Sequence, residues 1–467
     1  MSLFDGKRIA PDVFKLDVER MRRGWYSDKY FDNIVRVLTD LAAHGYRFGG
    51  QNSDLSDLGI DLANVDIGNI AVEMQWFTRR APTSIVVGVD KALAMLELCT
   101  GYFDDHDQFV STWDQLEVQA VQDGNLAPYS GDPRRVVPVI RVRGRYRDFA
   151  LLETPTLGTL TRGSRIATNV YNTLKAAGGR DVLFFPARFD AHEIQAADGY
   201  AYHMAVQRYN HDSQGGYSGS ISTDAQGDWW GGAGGGTIAH AAIACFLGDT
   251  AETVLAFAAT RPPQVPRIAL VDYDNDCVGT SLRVMAVLFA RWRTLLEAGQ
   301  PEEARKFKLT GVRADTGGTL RDRSVPPLGD RALDMGVNPR LVFILREALD
   351  HAYTAWDLPA AWLAPAAQWC RDVQIVVTGG FTPEKIRKFE ELAVPVDAYG
   401  VGSSLLENSS HNGTSNDYTA DVVKVRINDQ WYDMAKIGRH ACDNPDLQQV
   451  SGIRHQVSGD GTLTAAT

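Results

Sequence analysis

The stretch from Gly234 to His240 carries residue types well suited to chemistry. Its sequence, GGGTIAH, brings three glycines, Thr237 and His240 to the start of the apolar run AAIACFL. If that run is a helix, its N-terminus presents unpaired N–H groups and partial positive charge, which favour an anion. A histidine at this position can act on a phosphate or carry one. A glycine-rich turn into a core helix is the purely structural alternative, so other residues must decide.

Further polar residues follow short apolar runs in the second half of the chain. They are Arg188 after VLFFPA, Asp272, Asp274 and Asp276 after IALV, Arg313 and Asp315 after KLTGV, Thr378, Gly379 and Gly380 after IVV, and Gly400, Gly402 and Ser403 after DAY. The carboxyl ends of parallel strands meet at one edge of a sheet, so we expect these residues to converge. Arginines, carboxylates and glycine turns together suit a phosphorylated substrate with magnesium. An internal Arg313–Asp315 ion pair and a solvated aspartate turn are the structural alternatives.

Two glycine turns have the pattern of phosphate-binding loops. Gly379 and Gly380 precede Phe-Thr-Pro, which predicts a helix with Thr382 as N-cap and Pro383 at its first position. The segment Gly400-Val-Gly-Ser-Ser has the same pattern. Two such loops on adjacent strands would form one phosphate cup, although each could be a plain strand-to-helix turn.

The elements that position these residues repeat as apolar strand, polar turn and amphipathic helix. Strands are predicted within 182–188, 268–276, 307–318, 373–380 and 396–405, and helices over 164–177, 193–209, 279–298, 339–356 and 383–392. This repetition predicts parallel strands with crossover helices. Because about six such units are present rather than eight, we expect an irregular α/β barrel over residues 151–417.

The rest of the chain predicts a second domain of a different kind. Residues 1–150 contain helices over 30–43 and 89–98, two strands of a hairpin over 71–87, and a strand over 136–145. Two further strands after residue 418 are expected to return to this region. We therefore predict an α+β sandwich domain built from residues 1–150 and 418–467.

Composition excludes several classes of protein. The chain has 467 residues and a formal net charge of −11 without a basic run, which argues against nucleic-acid binding. Its five cysteines are scattered without a CxxC pair, which argues against a zinc cluster or a disulfide framework. No apolar leader or membrane-spanning segment is evident. We expect a cytoplasmic protein that contacts neither nucleic acid nor membrane.

Taken together, the motifs carry a family resemblance over residues 24 to 405. The matching segments are SDKYF (27–31), ETPTLG (153–158), FFPARFDAHE (184–193), GGGTIAHA (234–241), GVRADTGG (311–318), VTGGFTPEKI (377–386) and DAYGVGSSL (397–405). In this order they resemble the nicotinate phosphoribosyltransferase family, which has the type II phosphoribosyltransferase fold. The resemblance implies synthesis of nicotinate mononucleotide and pyrophosphate from nicotinate and phosphoribosyl pyrophosphate, coupled to ATP hydrolysis, in NAD biosynthesis.

The resemblance also implies roles for individual residues. His240 would carry the phosphoryl group from ATP, and Asp315 would hold the ribose hydroxyls or the metal. Substrate-binding roles fall to Arg188, Arg313, Thr237, Asp224 and Tyr30, whose ring would stack on the pyridine of the neighbouring subunit. Phosphate-binding roles fall to Gly379, Gly380, Gly400, Gly402 and Ser403. We expect a homodimer that uses Mg²⁺ with its phosphorylated substrates, with Asp272 and Asp315 as metal carboxylates and no tightly bound organic cofactor.

Departures from the family pattern keep alternatives open. Phe189 stands in place of a second arginine, and Gly318 replaces an aspartate, so one carboxylate is missing. The segment STDAQ resembles the Gly-Thr-Asp of nicotinamide phosphoribosyltransferase, in which the aspartate that Asp224 would match prefers an amide. A nicotinamide-using enzyme of the same fold is the nearest alternative. A type I phosphoribosyltransferase, a sugar-phosphate lyase or aldolase, and a non-catalytic homologue are further alternatives.

Overall fold

The computed structural model describes residues 4–408 and 417–451. The chain divides into two compact units. The first comprises Met1–Thr168, Tyr200–His211 and Glu407–Thr467, and the second comprises Asn169–Gly199 and Asp212–Leu406. Residues 452–467, which the sequence assigns to the sandwich domain, lie outside the described residues.

The strands and helices follow one another along the whole described chain. The strands are β1 (Ala71–Thr78), β2 (Thr83–Ile85), β3 (Gly101–Phe103), β4 (Phe109–Ser111), β5 (Glu117–Ala120), β6 (Leu126–Pro128), β7 (Ile140–Arg145), β8 (Asp181–Phe184), β9 (Ser220–Ile221), β10 (Ile268–Leu270), β11 (Gly311–Ala314), β12 (Gln374–Val377), β13 (Ala398–Val401), β14 (Tyr418–Ile427), β15 (Gln430–Asp433) and β16 (Gln448–Ser451). The helices are α1 (Val18–Arg22), α2 (Lys29–Ala43), α3 (Ser53–Asp57), α4 (Val89–Cys99), α5 (Tyr146–Phe149), α6 (Glu153–Ala176), α7 (Gln195–Ser213), α8 (His240–Cys245), α9 (Thr250–Thr260), α10 (Cys277–Glu297), α11 (Pro301–Arg305), α12 (Arg331–Asp334), α13 (Pro339–His351), α14 (Ala360–Arg371) and α15 (Pro383–Glu391).

The second unit is built on a six-stranded parallel sheet in the order β10-β11-β12-β13-β8-β9. Five of these strands are the apolar runs that the sequence predicts, and their parallel pairing confirms the α/β class. The sixth, β9, is too short to give a sequence pattern. Among the described residues β9 and β10 are the two ends of the sheet, so it forms a half-barrel rather than a closed ring.

The helices agree with the predicted positions but differ at their ends. Helix α6 begins at Glu153 rather than Ser164. Pro155 is the third residue of the helix, and proline is tolerated in a first turn. Gly163 lies against the Val87 carbonyl, where a Cβ would be only 2.6 Å from the oxygen, so a glycine in the middle of the helix has a packing role. The helix ends before Gly178, whose φ of +58° suits a glycine. Helix α15 begins as predicted, with the Thr382 side chain accepting from the Lys385 amide.

The first unit contains a six-stranded antiparallel sheet in the order β15-β14-β1-β7-β5-β16. Strands β14 and β15 return to this unit, as predicted. The prediction of a hairpin over 71–87 is wrong, because β1 pairs with β7 and β14 while β2 pairs with β6. Strand β1 lies between β14 and β7 in this sheet, and seven of its eight residues are buried.

An apolar core is formed by residues of this sheet and of the helices packed against it, and it includes Trp76, Leu96 and Val142. Helix α4, predicted from its apolar spacing, contributes much of that core. In the part of the chain that the structure describes, no helix is long and apolar enough to cross a membrane.

Candidate functional site

A cavity of about 570 Å³ opens in the second unit, where the ends of several parallel strands and their following loops meet. It brings together many of the residues that the sequence singles out. Its lining comprises Phe185, Ala187, Arg188, Phe189, Ser222, Gly235, Gly236, Ala239, His240, Ala241, Arg313, Asp315, Thr378, Gly379, Gly380, Phe381, Gly400, Gly402 and Ser403. Residues from six separate segments therefore converge at one edge of the sheet, which is where α/β folds bind ligands.

His240 is the first residue of α8, as the sequence predicts. Its Nε2 lies 3.1 Å and 3.2 Å from the two carboxylate oxygens of Asp272, which follows β10. The imidazole is 47% exposed, whereas the Asp272 side chain is only 9% exposed. Burial raises the pKa of Asp272, the charge and hydrogen bond of His240 oppose that shift, and the charge of Asp315 adds to it. No partner for Nδ1 lies within the described residues.

Arg313 and Asp315 leave β11 on the same side and both line the cavity. The Arg313 Nη2 donates to the Ile238 carbonyl over 3.3 Å, and its buried Nε has no acceptor within the described chain. Burial lowers the pKa of Arg313, while Asp315 and Asp272 oppose that shift. Within residues 4–408 and 417–451 neither Arg313 nor Arg188 forms an ion pair, so two guanidinium groups are available to an anion.

The loop of Gly379 and Gly380 has the geometry of an anion site. The two glycines have φ of +91° and +68°, and a Cβ at Gly380 would meet no atom within 4 Å. In the described chain the backbone N–H groups of Gly379, Gly380 and Phe381 have no acceptor. Consecutive unpaired N–H groups before the N-terminus of α15 form a concavity that suits a phosphate.

Gly400 and Gly402 are glycines for a different reason. Neither has a positive φ, and a Cβ at Gly402 would lie 2.5 Å from Phe189 Cε2. A Cβ at Gly400 would overlap the Thr378 methyl group and approach Phe185 at 3.0 Å. The missing side chains therefore leave room for neighbouring side chains. The two glycine loops are joined by Ser404, whose hydroxyl donates to the Phe381 carbonyl over 2.9 Å.

The sequence analysis missed the aromatic side of the cavity. Phe185, Phe189 and Phe381 all line it, and Phe189 is 47% exposed. The Arg188 guanidinium lies 5.3 Å from the centre of the Phe189 ring. The sequence carries no direct signal for this side, because FFPARF comes to lie beside Gly400 and Gly402 only through the pairing of β8 with β13.

Three predicted substrate-binding residues do not line this cavity. Thr237 precedes His240 in the same segment. Asp224 Oδ1 accepts a hydrogen bond from the Gly234 amide over 2.8 Å, which holds the start of the glycine run. Tyr30 belongs to the first unit, is 63% exposed, and donates to Asp28 over 3.2 Å. Its role in a neighbouring subunit stays a prediction.

The predicted magnesium carboxylates differ in their surroundings. Asp315 lines the cavity, whereas Asp272 is engaged with His240. Among the described residues no group of three or more His, Cys, Asp or Glu side chains could hold a metal ion. Magnesium in phosphate-transfer sites takes one or two carboxylates and completes its shell with water and substrate phosphates. Two carboxylates would suffice for an ion that arrives with a phosphorylated substrate, and the role of Asp272 and Asp315 as magnesium ligands stays a prediction.

Comparison with known proteins identifies the fold. No protein-family model matches the sequence, and no curated protein matches it. The structure is similar to nicotinate-nucleotide pyrophosphorylase from Pyrococcus furiosus, with a TM-score of 0.56 and 21% identity over 93% of this chain and 85% of that chain. It is also similar to human nicotinic acid phosphoribosyltransferase, with a TM-score of 0.50 and 16% identity over 86% of this chain and 75% of that chain. These likenesses support the type II phosphoribosyltransferase fold that the sequence resemblance implies.

Proposed function

We propose that this chain is a nicotinate phosphoribosyltransferase, which joins nicotinate to phosphoribosyl pyrophosphate and releases pyrophosphate. The observation that carries the proposal is the content of the cavity. Two guanidinium groups without carboxylate partners, the Asp315 carboxylate and a loop of unpaired N–H groups all line it. A substrate with phosphates at both ends of a ribose matches this distribution of charge.

The reaction needs stabilisation of the departing pyrophosphate and alignment of the pyridine nitrogen with the ribose carbon. Arg188 and Arg313 would neutralise the pyrophosphate or the pyridine carboxylate. Asp315 would accept hydrogen bonds from the ribose hydroxyls, and the N–H groups of Gly379 to Phe381 would bind the 5′-phosphate. The ring of Phe189 would cover one face of the pyridine.

Magnesium would enter with the phosphorylated substrate. When bound, the ion would neutralise charge on the pyrophosphate, and Asp315 and Asp272 are the carboxylates that would hold it. Because the Asp272 carboxylate also accepts a hydrogen bond from His240, coordination of the ion by Asp272 would depend on that hydrogen bond.

His240 would couple the reaction to ATP by carrying a phosphoryl group. With Nε2 donating to Asp272, Nδ1 keeps its lone pair and is the nitrogen available to attack the γ-phosphorus of ATP, with ADP as the leaving group. Transfer of the phosphoryl group from Nδ1 to water would complete ATP hydrolysis. The Asp272 carboxylate would hold the ring in this tautomer and stabilise the charge that develops on it.

The position of Asp224 supports nicotinate rather than nicotinamide as the acceptor. Its carboxylate is bound to the Gly234 amide and does not line the cavity, whereas two arginines do. A sugar-phosphate lyase or aldolase would need a lysine nucleophile, and no lysine lines the cavity in the described chain. Tyr30 would complete the site from a second copy in a homodimer.

The test is an assay of pyrophosphate release from phosphoribosyl pyrophosphate with nicotinate, nicotinamide or quinolinate, each with and without ATP. We expect nicotinate to give the highest kcat/KM and ATP to increase it. Preference for nicotinamide would contradict the choice of acceptor, and no release with any of the three would contradict the proposed reaction. Arg313→Met is the matched inactive control.

A further inference from the structure

Lys385 lies beside the loop of Gly379 and Gly380 and does not line the cavity. It is the third residue of α15, and its side chain reaches back to donate from Nζ to the Gly379 carbonyl over 3.2 Å. Nζ also lies 4.1 Å from the centre of the Phe381 ring and 6.0 Å from that of Phe389. The ammonium therefore rests between two buried aromatic rings and one backbone oxygen.

Within the described residues the charge of Lys385 is offset by one carbonyl and by the face of the Phe381 ring, and not by a carboxylate. The Gly379 carbonyl is its one acceptor among the described residues, and no carboxylate forms an ion pair with it there. Burial alone lowers the pKa of Lys385 to about 8. A half-buried cation with a single neutral acceptor is costly unless an anion is near.

In the described chain, neither Glu384 nor Asp315 forms an ion pair with Lys385. On α15 itself, Glu384 pairs with Arg387 at 3.1 Å. Asp315 follows β11, and its Oδ1 lies 3.3 Å from the position that a Cβ would take at Gly379. Besides the Gly379 carbonyl, the described chain places the Phe381 and Phe389 rings near Nζ, and neither ring titrates.

The hydrogen bond from Lys385 to the Gly379 carbonyl fixes the direction of the Gly380 N–H group. In a trans peptide the carbonyl and the following N–H point in opposite directions. An ammonium that holds the Gly379 carbonyl therefore turns the N–H of Gly380 away from Lys385, and Gly380 lines the cavity. We propose that Lys385 is a positioning residue that fixes the Gly379–Gly380 peptide unit and thereby determines affinity for the substrate's phosphate. This inference rests on the proposed function, because the phosphate is that of phosphoribosyl pyrophosphate.

The experiment compares Lys385→Met and Lys385→Arg with wild type, and Lys388→Met serves as the control because Lys388 is exposed on the same helix. Lys385→Met should raise the KM for phosphoribosyl pyrophosphate about tenfold, or 1.4 kcal/mol, while kcat and the KM for nicotinate change less than about twofold. Lys388→Met should match wild type. An unchanged KM for phosphoribosyl pyrophosphate in Lys385→Met would overturn the proposal.

The pH dependence separates a positioning charge from a structural side chain. In wild type the KM for phosphoribosyl pyrophosphate should rise from pH 7 to pH 9, because Lys385 loses its proton near pH 8 while the phosphate is already a dianion. Lys385→Arg stays charged and should show a flat profile. A rise in Lys385→Arg equal to that of wild type would overturn the inference.

Binding of inorganic phosphate, measured by calorimetry, keeps this test independent of turnover. Wild type should bind phosphate about tenfold more tightly than Lys385→Met at pH 7, and should take up protons on binding near pH 8. Equal affinities would overturn the role of Lys385 even in an active enzyme. Phosphate binding that depends on Lys385, in a chain that releases no pyrophosphate, would contradict only the proposed reaction.

Discussion

The glycine loops at 379–380 and 400–402 have similar sequences and different physical roles. In the first, both glycines have positive φ and the Cβ position of Gly380 is empty, so the backbone itself faces the cavity. In the second, φ is negative or extended, and the Cβ positions are occupied by Phe185, Phe189 and Thr378. One loop exposes N–H donors, and the other makes room for side chains.

This difference distinguishes the two loops that the sequence predicts to bind phosphate. Glycine has two uses at a strand end: it permits a left-handed backbone, and it permits close approach of a neighbour. The first use favours an anion. The second use builds an apolar wall, which favours an aromatic ring. We therefore propose that the phosphate binds at the 379–381 loop and that the pyridine binds at the side of the cavity that Phe189 lines.

The largest effect is expected for His240→Ala, which changes neither loop. It should abolish incorporation of acid-labile phosphate from ATP and all stimulation by ATP, since the phosphoryl carrier is gone. The ATP-independent KM values for both substrates should stay within about twofold of wild type. Incorporation of radiolabelled phosphate and steady-state kinetics measure these quantities. Unchanged incorporation would remove His240 from the mechanism.

The next effect is expected on stability, at Gly400. Gly400→Ala would overlap the Thr378 methyl group on a buried strand, and such overpacking costs about 1–3 kcal/mol. Thr378→Ser removes that methyl group and keeps the hydroxyl, so the double variant should regain most of the lost stability. Urea unfolding measures both. A stable single variant with weakened phosphate binding would show that the two loops are alike after all.

Gly402→Ala should weaken binding of the pyridine substrate. Its Cβ would displace the half-exposed Phe189 ring, and the KM for nicotinate should rise about fivefold, or ~1 kcal/mol. The KM for phosphoribosyl pyrophosphate should not change. Phe189→Ala is the matched variant, because it removes the ring without touching the glycine. The reverse pattern, with only the phosphoribosyl pyrophosphate KM affected, would place the phosphate at Gly402.

The smallest effect is expected at Gly380. A Cβ there meets nothing, so Gly380→Ala introduces only backbone strain of about 1 kcal/mol at φ +68°. The KM for phosphoribosyl pyrophosphate should rise about threefold to fivefold while that for nicotinate is unchanged. Gly380→Asn should have a smaller effect, because asparagine tolerates this conformation better. Equal effects of both variants on both substrates would remove the distinction between the loops.

Local patterns in the sequence predicted much of this molecule. The apolar runs predicted the parallel strands, Thr382 and Pro383 marked the start of α15, and the residues that follow the strands were expected to converge at one edge of the sheet. These features depend on neighbours along the chain. The partners of β1, the pairing of His240 with Asp272, and the rings that cover Gly400 and Gly402 depend on register between distant strands. No spacing in a single sequence encodes that register directly.

The most direct test of the central claim is product analysis in a single turnover. Enzyme in excess over phosphoribosyl pyrophosphate would be mixed with nicotinate and magnesium, and nicotinate mononucleotide and pyrophosphate would be quantified together. We expect both products to form in equal amounts in wild type, and neither to form in Arg313→Met. Pyrophosphate without nucleotide, or no product in wild type, would contradict the assignment of this cavity to phosphoribosyl transfer.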